Sequence, residues 1–162
     1  MAIAMTTGYS AQTEGALRCI EAASDWAIAC VDALPQQSAY TLIDYGAADG
    51  GTAVGLWNAV LDRLHERQPQ AHYTLVGNDL PSNDNLALAA NVALQLSRPP
   101  SPTVLVSCRS FYEPLMEPGS VSFGFTATAM HWLSQSAGAL DTHTHVQASG
   151  DAEALSRFTA QA

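Results

Sequence analysis

Two acidic segments each follow a stretch that reads as a β-strand. The first runs from Asp44 to Gly50 and contains two glycines, and the second begins at Asp79. Glycines in a strand-to-helix loop let the backbone approach a ligand closely. A carboxylate after the second strand of an open sheet can accept hydrogen bonds from both hydroxyls of a ribose. A helix cap is the competing interpretation of Asp79, but this residue stands directly after the strand and before Pro81, too early to cap the next helix.

The spacing of the first loop bears on the kind of ligand. Gly46 and Gly50 give the pattern Gly-x-x-x-Gly, which differs from the Gly-x-Gly-x-x-Gly of dinucleotide-binding sheets. No basic side chain lies nearby to pair with a pyrophosphate, and Asp49 would repel one. A nicotinamide dinucleotide is therefore the weaker alternative, and a ligand with a cationic centre fits better. A plain turn without a ligand also remains open.

The elements that must position these residues alternate between helix and strand. An amphipathic helix from Ala11 to Leu34 ends before Pro35. Further helical patterns follow the glycine loop, precede Pro99 and begin at Asp151. The predicted strands are Thr41–Tyr45, Tyr73–Gly77, Thr103–Cys108 and Val121–Thr126. This order predicts an α/β domain whose parallel sheet is covered on both faces and has its first strand in the interior.

Composition excludes several classes of function. The 162 residues include six basic and fifteen acidic side chains, a net charge of −9, and every basic residue is an arginine. Nucleic acids and anionic membranes are therefore poor partners. No apolar run approaches the about eighteen residues of a membrane span, and residues 1–7 do not resemble a signal peptide, so a cytoplasmic protein is expected.

Neither the cysteines nor the histidines predict a metal site. Cys19, Cys30 and Cys108 form no CxxC pair, and three reduced, buried thiols are expected. His143 and His145 lie in a segment, residues 137–150, that reads as a long exposed loop. They lack a third ligand nearby in sequence, so a solvated loop is favoured over a metal centre.

Three segments in order make the assignment more specific. They are Asn78-Asp79-Leu80-Pro81-Ser82-Asn83-Asp84, Ser110-Phe111-Tyr112 and His131-Trp132-Leu133-Ser134-Gln135. After a strand and a glycine loop, they resemble the SABATH family of S-adenosylmethionine-dependent carboxyl methyltransferases, from Tyr9 to the last residue.

The resemblance implies a Rossmann-like class I methyltransferase sheet, an αβα sandwich, truncated after about four strands and without the helical cap. It implies one incomplete S-adenosylmethionine-binding domain over residues 1–162. Its parts are an N-terminal segment and helix (1–35), a βα core (41–126), and an acceptor-pocket segment with a loop and the start of a helix (127–162).

Site residues carry over from the family by position. The implied cofactor-binding residues are Tyr9, Thr13, Asp44, Gly46, Asp49, Asp79, Leu80, Ser110 and Phe111. The implied substrate-binding residues are Thr128, Met130, His131 and Trp132, with the Trp132 indole donating to the substrate carboxylate. The implied cofactor is S-adenosyl-L-methionine, no metal is expected, and the partners are a small carboxylic acid and, as an alternative, a second copy in a homodimer.

The implied reaction transfers a methyl group to a carboxylate and forms a methyl ester. The acceptor is already ionised at neutral pH, so positioning replaces a catalytic base. Two alternatives stand beside this enzyme. One is a catalytically inactive, truncated module that binds the cofactor or dimerises, and the weaker one is a nicotinamide-dependent oxidoreductase domain. Weak or no turnover is expected of this chain by itself.

The N-terminal pattern departs from the family. Tyr9 is followed by Thr13 and Ala16, where the family has serine and glutamine. Thr13 keeps a hydroxyl for the cofactor. Ala16 cannot supply the amide that pairs with the tryptophan on the acceptor carboxylate, unless Gln12 does so from a shifted register. The identity of the acid is therefore open.

Overall fold

The computed structural model describes residues 8–96, 101–130, 134, 137–140 and 145–160. Its strands form one parallel sheet in the order β3-β2-β1-β4. They are β1 (Ala39–Tyr45), β2 (His72–Asp79), β3 (Thr103–Cys108) and β4 (Phe123–Phe125). The predicted α/β fold with a parallel sheet is confirmed, and β1 lies in the interior between β2 and β4, whereas the covering of both faces of the sheet stays a prediction.

Helices alternate with the strands as the periodicity predicts. They are α1 (Glu14–Asp32), α2 (Val54–Arg67), α3 (Asn85–Gln95) and α4 (Ala152–Thr159). The Asp84 side chain accepts a hydrogen bond from the Ala87 N–H at 3.0 Å and caps α3. Asp151 caps α4 through two backbone N–H groups at 2.9 Å each. Both caps accept hydrogen bonds from N–H groups that the first helical turn leaves unpaired.

Helices α1, α2 and α3 pack on the same face of the sheet. Leu42 of β1 and Leu75 of β2 are neighbours in register and point into one apolar cluster. The helices contribute side chains at three- and four-residue spacing to that cluster: Ile20, Ala27 and Val31 from α1, Trp57, Val60, Leu61 and Leu64 from α2, and Leu88 and Val92 from α3. This packing fixes the helix termini beside the strand ends.

The register brings the carboxyl ends of the strands to one edge. Asp44 pairs with Gly77, Tyr45 with Asn78, and Asp79 with Cys108. In an open α/β sheet ligands bind at this edge. The two acidic segments of the sequence therefore lie side by side.

Strand β4 is shorter than the six residues predicted from the sequence. Phe123 and Phe125 pair with β1, and the pairing stops on either side of them. Ser122 donates its N–H to the Thr41 carbonyl at 2.8 Å, and the Thr126 hydroxyl donates to the Tyr45 carbonyl at 3.0 Å. The Thr41 N–H also donates to the Ser122 hydroxyl at 3.2 Å, so isolated hydrogen bonds to Ser122 and Thr126 replace the ladder at the two ends of β4.

The prediction of buried cysteines is wrong. Cys19, Cys30 and Cys108 are free, as expected, but all three are exposed. Cys19 and Cys30 lie on α1 outside its row of buried residues, and Cys108 ends the edge strand β3.

The chain divides into two compact units, Met1–Ala129 and Met130–Ala162. In the second unit Ala154 is buried, and Arg157 donates from Nε to the Ala137 carbonyl at 2.9 Å. A 3₁₀ turn, Val146–Ala148, lies in the segment predicted to be a loop. In the part of the chain described, no helix has the length and apolarity to cross a membrane.

Gly50 ties the first loop to α3, and replacing it is expected to destabilise the fold. Its φ is +75°, and a Cβ there would lie 2.6 Å from Val92 Cγ2 and 2.8 Å from Leu88 Cδ1. Gly50→Ala should lower the free energy of unfolding by about 3 kcal/mol, from backbone strain and overpacking together. Gly8 has the same φ with nothing near its Cβ position. Gly8→Ala should therefore cost only about 1 kcal/mol in urea unfolding, and equal losses would refute the packing part.

Candidate functional site

The loop after β1 is held against the end of β2 by its backbone. The N–H groups of Gly46 and Ala47 both donate to the Asn78 carbonyl at 2.9 Å. Gly46 has φ +72°, and Ala48 has φ +52° although it is not a glycine. Within this loop the Ala48 N–H points toward the end of β2.

Asp79 receives that N–H. Its Oδ2 accepts from Ala48 at 2.6 Å, and its Oδ1 accepts from the Leu80 N–H at 2.7 Å. Each carboxylate oxygen keeps lone-pair capacity for a further donor. Partial burial raises the pKa of Asp79, and the two backbone hydrogen bonds work against that rise. The structure therefore presents a fixed carboxylate with two oxygens still able to accept.

Asparagines of the motif after β2 brace the same edge. The Asn78 side chain donates to the carbonyls of Ser107 and Arg109 at 3.0 and 2.8 Å, and Asn83 donates to the Ala48 carbonyl at 2.7 Å. The Asn78 Oδ1 is buried and has no hydrogen-bond partner among the described residues. Much of this unusual motif thus serves to hold the loops at the ends of β1, β2 and β3 together.

Asp44 is the most perturbed acidic group of the site. It is 7% exposed, and Trp57, itself 1% exposed, donates its indole N–H to Asp44 Oδ2 at 2.9 Å. Burial raises the pKa of Asp44 to about 6, the Trp57 hydrogen bond lowers it, and the nearby Asp79 raises it. Edge-on contacts with Phe123 and Phe125 fix the indole, with ring centroids 6.0 and 6.3 Å away.

A cavity opens beside this carboxylate. Twelve residues line it, six of them alanines, and Asp44 is the one charged residue among the twelve. Gly46 and Thr128, both predicted site residues, line it, and so does Ala16. Small side chains leave the space open, and a buried carboxylate in such a wall favours a cationic group over an anionic one.

Other predicted residues lie around the same loop. A Cβ built on Gly46 would contact the Phe111 ring at 3.8 Å, so Phe111 lies beside the loop. The Ser110 hydroxyl accepts from the Tyr112 N–H at 3.3 Å and stabilises the turn after β3. Leu80 is half-buried next to Asp79. The structure thus brings the ends of β1, β2 and β3 together as the motifs predict.

Asp49 faces a different neighbour. Its carboxylate accepts from the N–H and the hydroxyl of Ser10 at 3.1 and 3.0 Å, and from the Gly51 N–H at 3.2 Å. It is not among the cavity-lining residues. These contacts attach the 3₁₀ turn Tyr9–Ala11 to the loop, so Asp49 has a clear structural role.

The remaining predicted residues are more scattered. Thr13 is half-buried at the start of α1, Gln12 is exposed, and the Tyr9 backbone lies in the 3₁₀ turn. Met130, in the second unit, is 52% exposed. His131 and Trp132, the core of the predicted acceptor pocket, lie outside the described residues.

The sequence reading missed two residues that organise the site. Neither Trp57 nor Ser10 belongs to the motifs from which the site is predicted. A signal for Trp57 existed, since a tryptophan in the first turn of the helix after the loop can reach the strand that ends at Asp44. Ser10 had no comparable signal. Among the described residues no group of three His, Cys, Asp or Glu side chains is placed to hold a metal ion.

Comparison with known proteins identifies the fold. No family model matches the sequence, and no curated protein matches it. Among solved structures, the chain matches "Loganic acid methyltransferase with SAH" at a TM-score of 0.75 and 15% sequence identity. The match covers 99% of this chain and 51% of that one, so the chain spans about half the length of the matched protein. The chain therefore has the Rossmann-like fold of a methyltransferase, built on a four-stranded parallel sheet.

Proposed function

We propose that this chain provides the cofactor-binding part of an S-adenosylmethionine-dependent O-methyltransferase that forms methyl esters of a small carboxylic acid. The observation that carries the proposal is the fixed carboxylate of Asp79, which lies on the Ala48 N–H at the end of β2. It occupies the place at which nucleoside-binding sheets hold a ribose. The fold shared with a methyltransferase solved with SAH supports the same ligand class.

The residues present fit S-adenosylmethionine. Asp79 has two oxygens with capacity for ribose hydroxyls, and we assign Leu80, Ser110 and Phe111 to the adenine. The cavity with its single carboxylate, Asp44, suits the positively charged methionine part. A phosphate-rich dinucleotide would meet this carboxylate with no basic side chain among the cavity-lining residues.

The protein's contribution to the reaction is positioning. S-adenosylmethionine, when bound, supplies an electrophilic methyl group. A carboxylic acid acceptor is already ionised near neutral pH, so no residue has to remove a proton. Orienting the acceptor and excluding water can lower the barrier by several kcal/mol in favourable cases. We assign that role to Thr128, Met130, His131 and Trp132, following the family resemblance.

The acceptor side differs from the family at Ala16. This residue is 8% exposed and lines the cavity beside Asp44. A methyl group in place of a longer amide removes one hydrogen-bond donor and widens the space there. We therefore propose that the acceptor acid is bulkier on the side facing Ala16 than an acid whose carboxylate is bound by both an amide and an indole.

Product analysis tests the reaction class. The purified chain is incubated with methyl-labelled S-adenosylmethionine and a panel of aromatic and aliphatic carboxylic acids, with mass spectrometry of esters and of S-adenosylhomocysteine. Ester formation at a rate that depends on the acid would support the proposed reaction, and we expect it to be slow because weak turnover is expected of this chain by itself. Labelled cofactor that binds without any ester supports the alternative of a binding module. Displacement of the labelled cofactor by NADH but not by S-adenosylhomocysteine would contradict the methyltransferase proposal and favour the oxidoreductase alternative.

A further inference from the structure

We infer that Trp57 is a positioning residue that orients the Asp44 carboxylate toward the cationic part of the bound cofactor. This inference deepens the proposed function and rests on it. It assigns a role to a helix residue that the motifs do not include. Trp57 does not line the cavity itself, so it acts through Asp44.

The geometry gives the carboxylate one fixed orientation. The indole N–H holds Oδ2 at 2.9 Å, and both side chains are almost fully buried. Trp57 is the hydrogen-bond donor to Asp44 within the described part of the chain. With Oδ2 engaged and Asp44 in the cavity wall, Oδ1 is left to meet a ligand.

The indole is itself held rigidly. Phe123 and Phe125 of β4 contact it edge-on, and α2 is anchored in the core by Val60 and Leu64. A rigid donor loses little entropy when a charge is placed against it, and preorganised dipoles stabilise charge most effectively in a dry site. The two phenylalanines of the short strand β4 thus hold the Trp57 indole in place.

The other groups around Asp44 do not replace this donor. Its neighbours across the sheet, Gly77 and Phe125, carry no charge. Asp79 is acidic and makes ionisation of Asp44 harder, while the Asp49 carboxylate is bound to Ser10. Trp57 is the group that lowers the pKa of Asp44, so its removal should raise that pKa further.

The first test needs no cofactor. The indole N–H resonance of Trp57 is assigned by its absence in Trp57→Phe and followed by NMR from pH 4 to pH 8. We expect it to shift with a midpoint near 6, where Asp44 titrates, and to stay constant in Asp44→Asn. The resonance of Trp26, which is 79% exposed on α1, serves as the internal control. A Trp57 resonance that does not move between pH 5 and pH 7 would overturn the inference.

The second test measures how the Trp57 N–H affects ligand binding. Calorimetric titration with S-adenosylmethionine, which carries the sulfonium charge that S-adenosylhomocysteine lacks, is compared across pH for the wild type, Trp57→Phe and Trp26→Phe. Phenylalanine preserves the aromatic packing but removes the N–H. We expect about tenfold weaker binding at pH 7.5 in Trp57→Phe, with the loss of affinity on acidification starting at a higher pH than in the wild type.

The outcomes separate the two proposals. Trp57→Phe with the affinity and pH profile of Trp26→Phe would overturn the positioning role while leaving the proposed function intact. Failure of the folded wild type to bind S-adenosylmethionine at any pH would instead contradict the proposed function, whatever the indole resonance does.

Discussion

Asp79→Ala is expected to weaken binding of S-adenosylmethionine by about 100-fold or more, because the proposed binding mode then loses two charge-assisted hydrogen bonds to ribose hydroxyls. Asp79 is held in place by the Ala48 and Leu80 N–H groups, so it is ready to accept without reorganisation. Calorimetric titration measures the change. The affinity of Asp79→Asn should fall between those of the wild type and Asp79→Ala, since asparagine keeps one acceptor oxygen.

Asp84→Ala is the matched control for this experiment. Asp84 belongs to the same motif, but its carboxylate is exposed and caps α3. Its loss should cost about 1 kcal/mol of stability and leave the affinity unchanged. Equal affinity losses in Asp79→Ala and Asp84→Ala would show that the motif acts only through folding.

Asp44→Asn is expected to stabilise the protein at neutral pH while weakening cofactor binding. Burial raises the pKa of Asp44 to about 6 from an ordinary value of 3.8. A carboxyl that is harder to ionise in the folded state than in the unfolded state destabilises the fold above its folded pKa, here by about 3 kcal/mol. Asparagine removes this charge and retains an oxygen for the Trp57 N–H. A gain in stability of about 2 kcal/mol at pH 7.5 follows.

The pH dependence of the free energy of unfolding tests this explanation of the Asp44→Asn effect. Between pH 4 and pH 6 the folded wild type holds the Asp44 proton and the unfolded chain releases it. Its stability therefore falls as the pH rises through this window, and the difference from Asp44→Asn grows with pH. Urea unfolding of both proteins at pH 4.5 and pH 7.5 measures the difference. An unchanged difference between the two pH values, or a less stable Asp44→Asn at pH 7.5, would contradict the electrostatic account.

Such a combination of stability and binding distinguishes a site residue from a core residue. Replacing a core residue lowers the stability of the protein, whereas neutralising a buried charge that is unfavourable in the folded state raises it. Asp44 is buried against an indole with Asp79 nearby, and the fold would be more stable without its charge. Retaining it is physically costly unless a cationic group compensates.

Local patterns in the sequence predicted most of the fold. The period of α2 and the β-prone run of β1 depend on nearby residues, and the structure contains both. Boundaries that depend on tertiary pairing were less accurate. Strand β4 pairs with β1 from Phe123 to Phe125 and leaves the ladder on either side, which residues 121–126 alone cannot reveal.

The site was predictable where chain order alone brings residues together. Asp44, Asp79 and Phe111 follow successive parallel strands, so the topology places them at one edge. The partners of their side chains were not predictable in this way. Trp57 bonds to Asp44 and Ser10 bonds to Asp49 because α2 and the N-terminal turn fold back on the loop. The same holds for Cys19 and Cys30, whose exposure depends on which side of α1 faces the core, and for Cys108, which ends the edge strand β3.

Calorimetric titration of the purified 162-residue chain with S-adenosylhomocysteine, beside NADH and the Asp79→Ala variant, decides whether this edge of the sheet is a cofactor site. We predict saturable binding of S-adenosylhomocysteine at one site, no binding of NADH, and loss of binding in Asp79→Ala. A folded chain that binds neither compound, or that binds S-adenosylhomocysteine equally well without the Asp79 carboxylate, would contradict the account.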